Sequence, residues 1–130
     1  MLSYERIHTT IPVVDVNRAR RFYRDTLGLE EVGSLAGNGD DNVMFRVGDC
    51  SRFMLFKRPH RTKAEHTIAG LRVDDLEETM DVLEQRGVRF ERYNTPDLKT
   101  DERGVARMGN WKGAWFKDSE GNILAVGEES

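Results

Sequence analysis

The sequence carries the same local plan twice, with its two copies about sixty residues apart. In each copy, alternating apolar and polar residues are followed by an aspartate, by apolar residues at helical spacing, and by a glycine. Asp15 and Asp75 are suited to cap a helix start, and Gly28 and Gly87 are suited to end the helix in a left-handed conformation. The chain is therefore predicted to be an internal duplication of a strand–helix unit.

The first strand is predicted from the alternation over residues 7–14. Ile7, Ile11 and Val13 form its apolar set and are expected to face a packed layer, which turns His8 toward the other face. The helices that follow are each predicted to bury one apolar stripe. The stripes consist of Ala19, Phe22, Tyr23 and Leu27 in the first copy and Leu76, Met80 and Leu83 in the second.

Each copy is predicted to end in further strands. Residues 42–49 and 51–58 are typical of a hairpin after a loop at 33–42 that is rich in Gly and Asn, and residues 104–108 and 113–128 repeat the pattern. Residues 94–104 form a polar loop, with a surface loop and a mobile lid both left open. One such unit cannot cover both faces of its sheet, so we expect the two to pair into a larger curved sheet.

Composition narrows the classes of partner. The net charge is −3 and both signs are interspersed, which gives no electrostatic footprint for nucleic acid. No run of 18 apolar residues is present, so no membrane span is expected. Cys50 is the single cysteine and cannot form an internal disulfide, and no signal peptide is recognisable at the start. A cytoplasmic location is predicted.

Three stretches carry a family resemblance: "IPVVDVNRARRFYRDTLGLE", "GLRVDDLEETMDVLEQRGV" and "AWFKDSEGNILAV". They resemble the vicinal oxygen chelate superfamily, which includes glyoxalase I, extradiol dioxygenases, fosfomycin resistance enzymes and bleomycin resistance proteins. The resemblance spans Ile7 to Val126. It implies an α+β fold of two tandem βαβββ modules, whose strands form a cup with helices outside, and it implies a homodimer.

The predicted organisation is one domain over residues 1–130. Module one covers 1–58, a link covers 59–65 and module two covers 66–130.

The resemblance also suggests where a metal would bind. Metal-dependent relatives hold a divalent ion with ligands on the first and last strands of each module, and His8 stands at the first of these positions. The corresponding residue of module two is Ile68, Ala125 stands where a glutamate is common, and the strand around Leu55 has no carboxylate. Since such ions need three or more donors, no bound metal is predicted. If one is present, His8 and His66 are the expected ligands, and His66 would need a bulge or register shift.

Several side chains are candidates for contacting a small molecule. Trp115 is predicted to face the cup and stack on a planar ligand, while Arg46 either meets an anionic group or lies on a solvated face. His8 either hydrogen-bonds a ligand, acts as a general base, or is satisfied by a neighbour. The full set of predicted ligand contacts is His8, Arg46, Leu55, His66, Ile68, Trp115 and Ala125.

A few neighbouring residues have weaker predictions. Trp111 and Lys112 either form one wall of the site or serve packing, and Tyr93 would line the entrance. Asp118 and Glu120 lie in the turn before the last strand and are expected to face solvent.

Three functional hypotheses follow. The first is a binding protein of the glyoxalase/bleomycin-resistance type that holds a small organic molecule without a metal or other cofactor. The alternative is a lyase, isomerase or dioxygenase of the glyoxalase type, using one divalent metal ion in a non-standard site that includes His8. The third is metal-free acid–base catalysis by His8. Whether any reaction is catalysed stays open at this point.

Overall fold

The computed structural model describes residues 1–34 and 41–130. The predicted loop at 33–42 falls mostly on residues 35–40, outside the described residues. The chain divides into two compact units, unit one over Met1–Arg61 and unit two over Thr62–Ser130. This boundary lies inside the segment predicted as the link.

Unit one contains a four-stranded sheet with one helix. Its elements are β1 (Thr9–Val13), α1 (Val16–Arg21) with a π-helical turn (Phe22–Thr26), β2 (Glu30–Gly33), β3 (Asn42–Val47) and β4 (Ser51–Lys57). The strand order is β1-β4-β3-β2. Strand β1 runs parallel to β4, and the other neighbours are antiparallel.

Unit two repeats this plan. Its elements are β5 (Thr67–Arg72), α2 (Leu76–Gln85), β6 (Val105–Met108), β7 (Trp111–Lys117) and β8 (Ile123–Glu129). The order β5-β8-β7-β6 and the parallel β5–β8 pair match unit one. The predicted α+β class and the two βαβββ modules with mixed sheets are confirmed. Each unit has three strands after its helix.

The helix boundaries form for the predicted reasons. The Asp15 carboxylate accepts a hydrogen bond from Arg18 N at 2.9 Å, and that of Asp75 accepts one from Glu78 N at 3.0 Å. Each bond satisfies an amide that the first helical turn leaves unpaired. Past the helix ends, Gly28 and Gly87 have φ of 72° and 94°, in the left-handed region that glycine adopts freely.

The predicted stripe of unit two is buried, whereas that of unit one is buried at Ala19 and Tyr23 and half-buried at Phe22 and Leu27. In unit one, Tyr23 is 1% exposed and its ring packs 5.3 Å from that of Phe53. Leu76, Met80 and Leu83 of α2 are buried in unit two. The prediction for Ile7 is wrong, because β1 begins only at Thr9 and Ile7 is 89% exposed. The buried face of β1 consists of Ile11 and Val13 alone.

The helices are also too short for a membrane span. Within residues 1–34 and 41–130, none combines the length and apolar composition that crossing a bilayer requires.

Candidate ligand-binding site

Strand β7 presents different residues on the two faces of its sheet. Ala114 and Phe116 are fully buried, on the face where α2 contacts β8. Trp111, Gly113 and Trp115 alternate with them and therefore lie on the opposite face, called the tryptophan face below. Their antiparallel partners on β8 are Glu129, Gly127 and Ala125, in that order.

Trp115 lies at the centre of an aromatic cluster on the tryptophan face. It is 7% exposed, and the rings of Tyr93 and Trp111 each approach it edge-on with centroids 5.8 Å away. The cluster contains Ala106, Trp115, Ile123 and Ala125, with Tyr93, Leu98 and Trp111 packed against it. Trp115 therefore lies on the face opposite Ala114 and Phe116, and its ring is covered by neighbours.

The ring of Trp115 is also fixed by a hydrogen bond. Its Nε1 donates to Thr67 Oγ1 at 3.0 Å. The segment that carries Tyr93 is tied down as well, since Tyr93 N donates to Thr100 Oγ1 at 2.8 Å and Thr100 N donates back to Tyr93 O at 2.9 Å. Burial raises the pKa of the Tyr93 phenol, and the charge of Glu91 adds to the rise.

Trp111 is held differently from Trp115. Its indole lies against Gly113 and Gly127, so closely that a Cβ atom on either glycine would collide with the ring. Side-chain atoms at these two positions would occupy the space of the indole. No hydrogen bond from Trp111 Nε1 is seen to any described residue, so van der Waals contact alone holds this half-buried ring in place.

A cleft of about 240 Å³ lies beside Trp111. It is lined by Gly70, Leu71, Arg72, Trp111, Ala125, Gly127 and Glu129. An added Cβ at Gly70 would meet nothing within 4 Å, so the missing side chain leaves open space. This "Trp111 cleft" combines a peptide floor with an aromatic wall, a combination suited to small organic molecules.

One ion pair provides the charged groups of the Trp111 cleft. Arg72 Nη2 lies 3.1 Å from Glu129 Oε2, and both side chains are well exposed. The guanidinium has five N–H donors, so one contact with Glu129 leaves others for a ligand oxygen. Lys112 is not part of this site. It is adjacent to Trp111 in β7 and therefore points to the other face, where its Nζ lies 3.7 Å from Glu128.

The predicted histidines lie outside the strands. His8 and His66 are both exposed and directly precede β1 and β5, respectively. Between Thr67 and Ala69 the register with β8 shifts, which makes Ile68 the extra residue of a bulge. An irregularity of the kind that the sequence required for His66 is thus present two residues after His66, at Ile68.

Two of the predicted ligand contacts, Leu55 and Arg46, lie in unit one. Leu55 is fully buried and pairs with Ile11, so it belongs to the core of unit one, and Met54 is the neighbour on the opposite face of β4. Successive residues of a strand point to opposite faces, so the residue of β4 that faces away from the core is Met54, one position from the predicted Leu55. Arg46 is half-exposed and forms an ion pair with Glu30 on the adjacent strand.

The prediction for Asp118 and Glu120 is wrong, because both are buried, at 6% and 1% exposure. Asp118 Oδ1 accepts hydrogen bonds from Glu120 N at 2.8 Å and from Asn122 N at 2.9 Å. The carboxylate replaces water as acceptor for the amides of the β7–β8 turn, which is why a charged turn residue can be buried here.

The donor set does not fit a divalent metal. Within residues 1–34 and 41–130, no three His, Cys, Asp or Glu side chains lie close enough together to hold an ion. Ile68 and Ala125, at two of the positions that the resemblance implies, carry no donor atom. A site that binds such an ion needs several nitrogen or oxygen ligands.

Most of the chain matches one protein-family model. The model of the Glyoxalase/Bleomycin resistance protein/Dioxygenase superfamily matches residues 6–126. The chain belongs to this superfamily. A search of curated proteins gives no match.

Solved structures agree on the fold. Lactoylglutathione lyase from Agrobacterium tumefaciens is similar with a TM-score of 0.69 and 22% identity, covering 98% of this chain and 95% of that one. TnmS3, an antibiotic binding protein from Streptomyces sp. CB03234, has a TM-score of 0.68 and 21% identity, with 99% and 100% covered. The fosfomycin resistance protein FosX from Listeria monocytogenes has a TM-score of 0.71 and 14% identity, with 100% and 96% covered. At these identities the likeness concerns the fold alone.

Sequence reasoning missed most of the residues that form the Trp111 cleft. It found Trp111 and Ala125, but not Gly70, Gly127 or Arg72. A signal existed, since glycine inside a strand often marks a close approach of another group to the backbone. Gly113 and Gly127 are both glycines within the stretch that the sequence predicts as strands.

Proposed function

We propose that this protein binds a small organic molecule in the Trp111 cleft of unit two without a resident metal. The observation that carries the proposal is the cleft itself, with its aromatic wall at Trp111 and its open floor at Gly70. Apolar and aromatic lining with few polar groups is the usual composition of small-molecule sites. The arginine–glutamate pair at its rim supplies the polar contacts that orient such a ligand.

Two further observations support binding without metal chemistry. The donor set of the described residues does not fit a divalent ion. One protein of similar fold, TnmS3, is an antibiotic binding protein, and a binding role of this kind suits the present chain. We further propose a single domain that forms a homodimer in the cytoplasm and binds neither nucleic acid nor membrane.

The test is equilibrium dialysis with 2-naphthol, a flat two-ring probe, against wild type and Gly70→Leu. Leucine fits a strand, and its side chain would fill the cleft from the floor, so we expect loss of saturable binding by about tenfold or more. Val82→Leu, on the exposed side of α2, is the control and should bind like wild type. Equal binding by wild type and Gly70→Leu would contradict the proposed location.

Metal content separates this proposal from the competing metal-dependent enzyme. Protein purified without chelator or histidine tag should contain no stoichiometric Fe, Mn, Ni or Zn, also after incubation with each ion and desalting. Near-stoichiometric metal that is lost in His8→Ala would contradict metal-free binding and favour a lyase, isomerase or dioxygenase.

A further inference from the structure

Trp111 belongs to the lining of two clefts of unit two. Besides the Trp111 cleft, a second cleft of about 220 Å³ is lined by Arg107, Gly109, Asn110, Trp111, Lys112, Glu128 and Ser130. Trp111 is the one residue that these two linings share. Lys112 and Glu128 of this second cleft lie on the other face of the sheet, so the Trp111 indole, which covers Gly113 and Gly127, faces the Trp111 cleft alone.

The Trp111 indole is held less firmly than the indole of the neighbouring Trp115. Trp115 is 7% exposed and donates a hydrogen bond to Thr67. Trp111 is half-buried, and within the described part of the chain its Nε1 has no acceptor. Displacing Trp111 therefore breaks no hydrogen bond, and the lost contacts can be replaced by any flat ring of similar size.

The place occupied by the indole has the shape of a flat ring. The atoms nearest to a Cβ on Gly127 are Trp111 Nε1, Cε2 and Cζ2, the last two at 2.8 Å, and those nearest to a Cβ on Gly113 belong to the six-membered ring. Gly113 and Gly127 are cross-strand partners, so the ring lies across both strands. No side-chain atom separates it from either backbone.

We propose that a flat aromatic ring of the ligand takes the place of the Trp111 indole, so that Trp111 is a built-in competitor for its own site. This inference rests on the proposed function and adds the ligand class and the role of Trp111. A residue that competes with the ligand lowers the apparent affinity by the fraction of protein in which the site is open. Removing the indole should therefore tighten binding, whereas removing a stacking platform would weaken it.

The experiment compares free indole binding to wild type, Trp111→Ala and the double variant Trp111→Ala/Gly113→Ala. We expect indole to bind Trp111→Ala about tenfold more tightly than wild type, and to raise its melting temperature. The added methyl of the double variant enters the ring position and should remove this gain. Adamantan-1-ol, which is apolar but not flat, should bind neither variant more tightly than it binds wild type.

Each outcome has one meaning for the inference. Tighter indole binding that depends on Gly113 supports it. Weaker 2-naphthol and indole binding by Trp111→Ala than by wild type would overturn it while leaving the proposed function intact, because the ring would then be a platform. If Trp111→Ala does not fold, Trp111→Val, whose smaller side chain suits a strand, takes its place in the same comparison. Indole binding by that variant that is equal to or weaker than binding by wild type would overturn the inference.

Discussion

The two units share one topology but differ at equivalent positions of their sheets. The registers align Pro12, Phe56 and Asn42 of unit one with Arg72, Gly127 and Gly113 of unit two. Where unit one has the side chains of Phe56 and Asn42, unit two has two glycines and an indole lying over them. The Trp111 cleft thus lies where unit two lacks side chains that unit one has at the equivalent positions.

The connections after the two helices differ as well. Unit one passes from its helix to β2 through residues 27–29, whereas unit two uses residues 86–104 to reach β6. The longer connection carries Tyr93 and Leu98, which cover Trp115. The helix caps and buried stripes, present in both units, therefore determine the fold, whereas the tryptophan face and its connection are particular to unit two.

The largest expected effect is the difference in stability between variants that lack one or the other tryptophan. Trp115→Ala should lower the free energy of unfolding by about 3–5 kcal/mol, because it empties a buried aromatic site and leaves Thr67 without its donor. Trp111→Ala should lower it by only about 1 kcal/mol, because the ring is half-exposed and forms no hydrogen bond to a described residue. Urea unfolding measures both. Equal losses would contradict the distinction between a fixed and a displaceable ring.

The second prediction concerns a substitution that gives unit two a residue of unit one. Gly127→Phe introduces the residue that stands at the equivalent position of unit one, and its side chain should expel the Trp111 indole. We expect a loss of about 1–3 kcal/mol in stability from overpacking, together with loss of 2-naphthol binding. Differential scanning calorimetry and dialysis test it. The reciprocal Phe56→Ala variant is the control, and it should keep 2-naphthol binding despite a loss of packing.

The third prediction concerns the long connection of unit two. Asp101 Oδ1 accepts hydrogen bonds from Arg103 N, Gly104 N and Val105 N at 2.9, 3.0 and 2.9 Å. These bonds, led by that from Val105, lower the pKa of Asp101, although partial desolvation opposes them. Asp101→Ala should lower the free energy of unfolding at pH 7 by about 1 kcal/mol, a value reduced by solvent exposure.

The lowered pKa of Asp101 determines how its contribution to stability changes with pH. A carboxyl whose folded pKa is lowered stabilises the protein above its unfolded pKa, and this stability disappears as the pH falls through the folded pKa. The difference between wild type and Asp101→Ala should therefore shrink below about pH 4. A difference that stays constant down to pH 2 would exclude this carboxylate as its source.

The smallest effect is expected at Tyr93. Burial raises its pKa, so the folded state retains a proton that the unfolded state loses first. Stability from this group is fully present below the unfolded pKa and is lost as the pH rises through the folded one. Wild type should lose more stability than Tyr93→Phe between about pH 9 and 11. Parallel pH profiles of the two proteins in urea unfolding would contradict the raised pKa of the Tyr93 phenol.

The sequence predicted the fold more fully than the site. Asp15, Asp75, Gly28 and Gly87 act through local backbone chemistry, which a single sequence displays directly. The Trp111 cleft depends instead on cross-strand register, and a glycine leaves no mark in a hydrophobic pattern. The bulge at Ile68 is likewise invisible to strict alternation.

Sequence reasoning also failed to predict the burial of the Asp118 and Glu120 carboxylates. Carboxylates in a polar turn usually face solvent, and the hydrogen bonds from the turn amides to Asp118 become apparent only when the turn geometry is known. Leu55 shows a related problem, because choosing the site residue of β4 required the register to within one residue.

The most direct test of the central claim is an NMR titration of the two indole N–H signals with 2-naphthol. The chain has only two tryptophans, so Trp111→Phe and Trp115→Phe assign both signals. Binding in the Trp111 cleft should shift the Trp111 signal saturably and the Trp115 signal less, and Gly70→Leu should remove both changes. A stationary Trp111 signal while dialysis shows binding, or an unchanged titration in Gly70→Leu, would contradict the account.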